Sequence, residues 1–228
     1  MGSSANEETW QRLPEPPLCL VTDEALEVSA LEEAVAAAID GGCRWVQLRH
    51  RRLADRALLV LAERLRRITR RSGAVFVVND RADIALAVDA DGLHLPASGL
   101  DPQSARRLIG SSRLLGRSVH AVSEIRELAS APLDYFQFGP VFETPSKRPF
   151  GPPQGLGRLR EAVEAARPRP VVAIGGINSA TVRPVLEAGA RAVAAIRALT
   201  GTPPQAKAAA ETFLASISSQ RASTSRAD

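Results

Sequence analysis

The chain is poor in several things at once. It has two cysteines, Cys19 and Cys43, one methionine, 4% aromatic residues and two lysines, Lys147 and Lys207. Both cysteines fall at expected buried strands, so the pair reads as small core residues and offers neither a disulfide framework nor metal-ligand spacing. No apolar run approaches the ~20 residues needed to span a bilayer. The opening MGSSANEETWQRLPEPP lacks a basic-then-apolar leader pattern, so the expectation is a cytoplasmic protein with no membrane partner. The shortage of aromatics bears on nucleic acid as well. Arg64, Arg66, Arg67, Arg70 and Arg71 fall at helical spacing with no interleaved aromatics, which reads as a solvated helix face and not as a nucleic-acid surface. No G-x-G-x-x-G follows the first apolar run, no nucleophile elbow occurs, and histidines and cysteines do not cluster.

What is present is a repeated alternation. The 228 residues are 45% hydrophobic and 24% charged, with a net charge of +4, the composition of a soluble globular chain. Strands are expected at Leu18–Thr22, Arg44–Leu48, Ala74–Val78, Gly92–Leu95, Leu114–Val119, Leu133–Phe138, Val171–Ile174 and Ala190–Ile196. Helical patterns separate them, and a last one covers Ala206–Ile217. Continuous apolar strands alternating with amphipathic helices predict a single α/β domain, a (β/α)₈ TIM barrel. An open doubly wound sheet is the weaker reading, because its glycine fingerprint is missing. The barrel is expected over 17–217, with a flexible lead-in at 1–16 and a disordered tail at 218–228.

The stretch Val171–Asn178, VVAIGGIN, is the most informative. A buried strand runs into Gly175 and Gly176, and a helical pattern follows Asn178. Such a turn lets backbone approach an anion; a plain tight turn is the bland alternative. The other strand ends are polar: Thr22-Asp23, Gln47 and Arg49, Asn79-Asp80-Arg81, His94, Ser118 and His120. The longest structureless piece, Gly139–Gly155, adds Thr144, Ser146 and Lys147. In a barrel all of these ends open on one face. The set supports proton or group transfer on a phosphorylated small molecule, with His120 and His94 as candidates to move protons.

The ordered segments LVTD, QLRHR, NDRADIALAV, ADGLHLP, GRSVH, DYFQFGPVFETPSK, VVAIGGIN and AAIRAL closely resemble the thiamin phosphate synthase/TenI superfamily. The resemblance runs from about Leu18 to about Leu214 and implies a (β/α)₈ barrel of thiamin biosynthesis. That family holds a synthase, which joins a thiazole phosphate to a pyrimidine pyrophosphate with Mg²⁺, and a tautomerase, which aromatises a thiazole carboxylate phosphate without metal. It implies a pyrophosphate-holding segment at Gln47, Arg49 and Arg51. Asn79 and Asp80 fall in the synthase's metal-binding segment, Asp80 as the Mg²⁺ ligand. Thr144, Ser146 and Lys147 fall in its substrate loop. Gly175 and Gly176, with Ile196 and Arg197, fall in its thiazole phosphate cradle.

One segment departs from the synthase pattern. Where the synthase carries H-x-G-Q-x-D, this chain reads His94-Leu95-Pro96-Ala97-Ser98-Gly99, without the second carboxylate. That run and Gly116–His120 look like the tautomerase branch, whereas Asn79-Asp80-Arg81 keeps the synthase form. The expectation is therefore a thiazole tautomerase with His120 as its general acid/base, no cofactor, and a thiazole phosphate substrate. Gln47, Arg49, Arg51, Asn79, Arg81, Ser118, Thr144, Ser146 and Lys147 would bind that substrate. A Mg²⁺-dependent synthase and a non-catalytic binder of thiamin-pathway phosphates are the alternatives. Apolar residues on the barrel helices leave a homodimer open.

Overall fold

The computed structural model describes residues 13–144 and 152–224. Eight parallel strands, β1 to β8, pair in chain order and close into a barrel. They are Leu18–Val21, Trp45–Leu48, Val75–Asn79, Gly92–Leu95, Leu114–Val119, Tyr135–Phe138, Val171–Ile174 and Ala192–Ala195. The helices that follow them are α1 (Val28–Asp40), α2 (Asp55–Ser72), α3 (Ala82–Ala87), α4 (Pro102–Ile109), α5 (Val122–Glu127), α6 (Gly155–Ala166), α7 (Val182–Glu187) and α8 (Pro203–Thr224). A short 3₁₀ turn at Arg197–Leu199 separates β8 from α8. No described helix is long and apolar enough to cross a membrane.

Strand alternation sorts side chains into two cores. One set, including Leu20, Val46, Phe76, Leu93, Leu115 and Phe136, faces the helices. The other, including Cys19, Val21, Trp45, Val77, Tyr135, Val172, Ala192 and Ala194, fills the barrel interior. Trp45 meets Tyr135 edge-on with ring centroids 5.3 Å apart. Gly116 is required beside them, since a Cβ there would lie 2.0 Å from Cζ of Tyr135. Small residues on β8 and large rings on β2 and β6 thus share the interior of one cylinder.

The arginines do more than coat helices. Arg66 is bidentate on Asp91 at 2.7 and 3.0 Å, and Asp91 also accepts from the Phe76 N–H at 2.8 Å. Arg106 holds the carbonyls of Gly110, Arg113 and Pro132 together with Asp134. Arg113 takes the carbonyls of Ala90 and Ile109, and Arg169 takes those of Leu128, Ala129 and Ala131. Arg44 takes those of Ile39 and Cys43. All of these lie where a helix ends and the next strand begins. Helix C-termini leave carbonyls unsatisfied, and a forked guanidinium can take several at once. The expectation of a solvated arginine face on α2 is corrected for Arg66, whose side chain is only 11% exposed.

Both ends of the domain differ from the sequence reading. Leu13 is buried and packs with the barrel interior, and Glu15 pairs with Arg191. Leu13 and Glu15, which fall in the stretch expected as a flexible lead-in, are thus held against the barrel. At the other end α8 continues past Ile217 to Thr224. Adding residues to an existing helix requires no new nucleus, so a polar continuation stays helical.

The clasp at β6 can be tested. Asp134 is 6% exposed, and its Oδ2 accepts from Arg106 at 2.7 Å and from the Leu115 N–H at 2.7 Å. Asp134→Ala leaves the Arg106 guanidinium without its counter-charge and the Leu115 amide without its acceptor, and should lower unfolding free energy by about 3 kcal/mol. Urea denaturation checks this, with the exposed pair Arg158–Glu161 as control: Arg158→Ala should change stability by less than about 0.5 kcal/mol.

Candidate active site

The opposite end of the barrel carries the polar strand ends. Gln47 and Gln137 project inward from β2 and β6, on opposite sides of the cylinder, and Gln47 Nε2 donates to Gln137 Oε1 at 3.2 Å. Below the mouth, the ring of His94 lies between Tyr135 and Ser118. Its Nδ1 is 3.1 Å from the Tyr135 hydroxyl and its Nε2 is 2.8 Å from Ser118 Oγ. His94 is fully buried, and burial, reinforced by Arg117 and Arg49, lowers its pKa to about 3. A neutral imidazole satisfies both hydroxyls, one donating and one accepting. His94 therefore orients Ser118 and stays uncharged at neutral pH.

At the end of β2 the cations gather around one acid. Glu24 accepts from the Arg51 main-chain N–H at 2.9 Å and from Arg51 Nη2 at 3.2 Å, while Arg49 stands 3.9 Å from it. Arg49 is half-buried, and its pKa is lowered by burial and then by Arg51, against the opposing pull of Glu24. Its charge is under-compensated, which is the electrostatic condition for receiving an anion. Thr22 braces the same corner, its Oγ1 donating to the Arg49 carbonyl at 2.9 Å and accepting the Arg49 N–H at 2.8 Å.

On the adjacent strand, Asn79 is half-buried and Asp80 is exposed. Asp80 takes φ of 68°, a left-handed conformation that non-glycine residues adopt at a cost, often at functional sites. Arg81 is occupied elsewhere. It reaches Asp55 at 2.6 Å and both oxygens of Asp83 at 2.9 and 2.6 Å. The structure thus places Arg81 in an ion-pair network at the start of α2 and α3, with its charge already matched.

Across the mouth, His120 ends β5. Its N–H donates to Glu124 Oε2 at 2.8 Å, and its Nδ1 lies 2.6 Å from the Gly139 carbonyl. Gly175 and Gly176 follow β7 with φ of 100° and 65°. Arg197 Nη2 donates to Thr144 Oγ1 at 2.8 Å, tying the turn after β8 to the loop after β6. Helix α7 begins only at Val182. Asn178 instead caps its own turn, its Oδ1 accepting from the N–H groups of Ala180 and Thr181. The helix expected to follow Asn178 directly therefore starts later, after this extra turn. An anion seat here would consist of the glycines and the Ile196–Arg197 turn. Ser146 and Lys147 lie outside the described residues.

Sequence reading missed Gln137, Tyr135 and Glu24 as parts of the mouth. The alternation in Tyr135-Phe136-Gln137-Phe138 carried the signal for the first two, since residues two apart on a strand share a face.

A closed parallel barrel with polar residues on its C-terminal rim defines a (β/α)₈ barrel, the fold in which functional residues gather at that rim. The chain belongs to the thiamine monophosphate synthase family (TMP-TENI), which matches residues 18–199. It is 40% identical over 200 residues to the thiamine-phosphate synthase of Synechococcus sp. (strain WH7803), covering 87% of this chain and 56% of that protein. It is 44% identical over 177 residues to that of Moorella thermoacetica, covering 78% of this chain and 84% of that one. The chain therefore spans little more than half the length of the Synechococcus relative. Among solved structures, the thiamine phosphate pyrophosphorylase from Pyrococcus furiosus superposes with a TM-score of 0.78 at 34% identity, over 89% of this chain and 96% of that one.

The buried imidazole makes a pH prediction. His94 is neutral in the folded chain down to about pH 3, whereas an unfolded histidine protonates near ~6.5. The unfolded state binds the extra proton between these values, so stability is full above that upper value and falls as pH falls. The His94 contribution should be about 1.4 kcal/mol per pH unit in that window. Urea midpoints from pH 6 down to pH 4 check it: the slope should be shallower in His94→Gln by about that amount.

Proposed function

We propose that the chain is a thiamin phosphate synthase, a transferase that couples a thiazole phosphate to a pyrimidine pyrophosphate and releases pyrophosphate. The observation that carries this reading is the pairing of β2 and β3 ends: under-compensated Arg49 and exposed Arg51 on one, Asn79 and Asp80 on the next. That is a place for a highly charged leaving group. The tautomerase expected from the Pro96–Gly99 segment has no comparable support, since the similar proteins carry the synthase name.

The roles divide by charge. Arg49 and Arg51 would take the pyrophosphate, Arg49 being the stronger lure because it is half-buried and loosely paired. Gln47, pinned by Gln137, would hold a polar atom of the pyrimidine at the mouth floor. Ser118 would present its hydroxyl in the direction His94 sets. The Gly175–Gly176 turn and Ile196–Arg197 would seat the thiazole phosphate, in the position after strands seven and eight where barrels of this kind bind phosphate. Fixing two reactants face to face is itself a large part of the rate.

Magnesium fits this donor set only in one form. Among the described residues there is no group of three or more His, Cys, Asp or Glu side chains able to hold a metal ion. Gly99 stands where the family's second acid falls, and a Cβ there would lie 2.7 Å from Cδ of Pro96, so the segment is built around the absence of a side chain. Mg²⁺ is commonly bound through one or two carboxylates plus substrate phosphates. Asp80 would hold such an ion when pyrophosphate brings it, and the ion would neutralise charge on the departing group.

A second reading rests on the same Pro96–Gly99 segment. Without the second acid, a metal-free proton shift on a thiazole carboxylate phosphate is the alternative. Incubation with both phosphorylated halves and Mg²⁺ should give thiamin phosphate and pyrophosphate, and EDTA should abolish it. Asp80→Asn should lower turnover by about 10²-fold or more, as loss of a group stabilising the developing charge does. Absence of product, with aromatisation of the ylidene thiazole carboxylate phosphate instead, would establish the second reading. Gly175→Ala should raise KM for the thiazole phosphate, because its Cβ would sit 2.5 Å from Cα of Pro140.

A further inference from the structure

His120 ends β5 and the glycine turn ends β7, with β6 between them. One short segment, Gly139–Thr144, joins the two. At its start, the Gly139 carbonyl lies 2.6 Å from His120 Nδ1. A carbonyl only accepts, so Nδ1 carries the proton, and both the neutral tautomer and the imidazolium keep this bond. The histidine is itself fixed by Glu124, which accepts its main-chain N–H at 2.8 Å.

The segment then runs along the turn, bonded to it main chain to main chain. The Val141 N–H donates to the Ile174 carbonyl and the Phe142 N–H to the Gly175 carbonyl, both at 2.9 Å. On its other side, Gln154 N–H donates to the Pro140 carbonyl at 2.8 Å and Gly155 N–H to that of Val141 at 2.9 Å. Its atoms fill the space where side chains at the two glycines would be. A Cβ at Gly176 would lie 2.7 Å from both Phe142 Cβ and the Glu143 carbonyl oxygen. Arg197 closes the far end through Thr144.

We propose that His120 is a positioning residue: its Nδ1–H bond to Gly139 holds this strap against the Gly175–Gly176 turn and so keeps the phosphate seat in shape. The proposal deepens the functional reading above, because it takes that turn as the seat. It assigns the histidine a task that requires Nδ1 and leaves Nε2 unused. Asparagine at 120 can place an amide N–H near the Nδ1 position, whereas alanine leaves the Gly139 carbonyl without its donor.

Two measurements on the full chain test it. In amide hydrogen exchange, His120→Ala should speed exchange at Val141 and Phe142 by about tenfold. The Phe76 amide, bonded to Asp91 at the other end of the barrel, should keep the wild-type rate, and His120→Asn should restore Val141 and Phe142. In calorimetric titration with hydroxyethylthiazole phosphate, His120→Ala should bind about tenfold more weakly, and His120→Asn within about twofold of wild type. Wild-type exchange at Val141 and Phe142 in His120→Ala would overturn the proposal. So would an asparagine variant that regains protection yet binds as weakly as the alanine variant, since the ring would then touch the ligand itself. If the wild type fails to bind hydroxyethylthiazole phosphate while the exchange pattern appears as expected, the strap stands and the phosphate reading falls.

Discussion

Closure between β1 and β8 is the constraint on which everything else in this molecule depends. Leu18, Cys19 and Leu20 pair with Val193, Ala194 and Ala195, so the first strand completes a ladder that the last would otherwise leave open. A parallel sheet must be covered on both faces. Once closed, it covers its inner face with its own side chains, and the helices need cover only the outer one. Closure also brings eight strand ends to one rim. Residues far apart in the chain, such as Gln47 and Gln137, meet there because their strands stand on opposite sides of one small cylinder.

The two rims of the barrel have been given different work. Where helices hand over to strands, Arg44, Arg66, Arg106, Arg113 and Arg169 bind main-chain carbonyls and carboxylates. A planar fork can satisfy several acceptors in fixed geometry, and a point-like ammonium cannot. At the other rim, Arg49 and Arg51 share one glutamate and are left with positive charge to spare. The same residue type is structural where its acceptors are built in and receptive where they are lacking.

Rigidity beneath the active rim comes from a buried polar layer. His94 is kept neutral by burial and set between two hydroxyls, and the Gln47–Gln137 pair lies across the barrel from strand to strand. Such a layer holds the groups above it in one geometry, because any rearrangement would leave a buried donor or acceptor unpaired. The strap after β6 extends the same logic outward. It is main chain paired to main chain, and its shape passes directly to the glycine turn it covers.

Much of the fold was legible in the sequence. Strands β4, β5 and β7 fall on the residues expected for them, and in β7 burial leaves an unbroken apolar run. The polar strand ends were equally plain, and resemblance to a family assigned most of them. The limits were local: α7 starts late because Asn178 spends its side chain on its own turn, and α8 runs on because extension requires no nucleus. Other things could not be read at any level of care. Arg81 looked like a ligand for substrate until Asp55 and Asp83 were seen to claim it. His94 and His120 looked alike until one proved buried between hydroxyls and the other tied to a backbone carbonyl. Sequence by itself determined which segments become strands and helices, since that depends on the periodicity of burial along the chain. Only the tertiary structure decided which charges remain uncompensated and what each histidine bonds to, because those depend on distances between residues that the chain brings together from far apart.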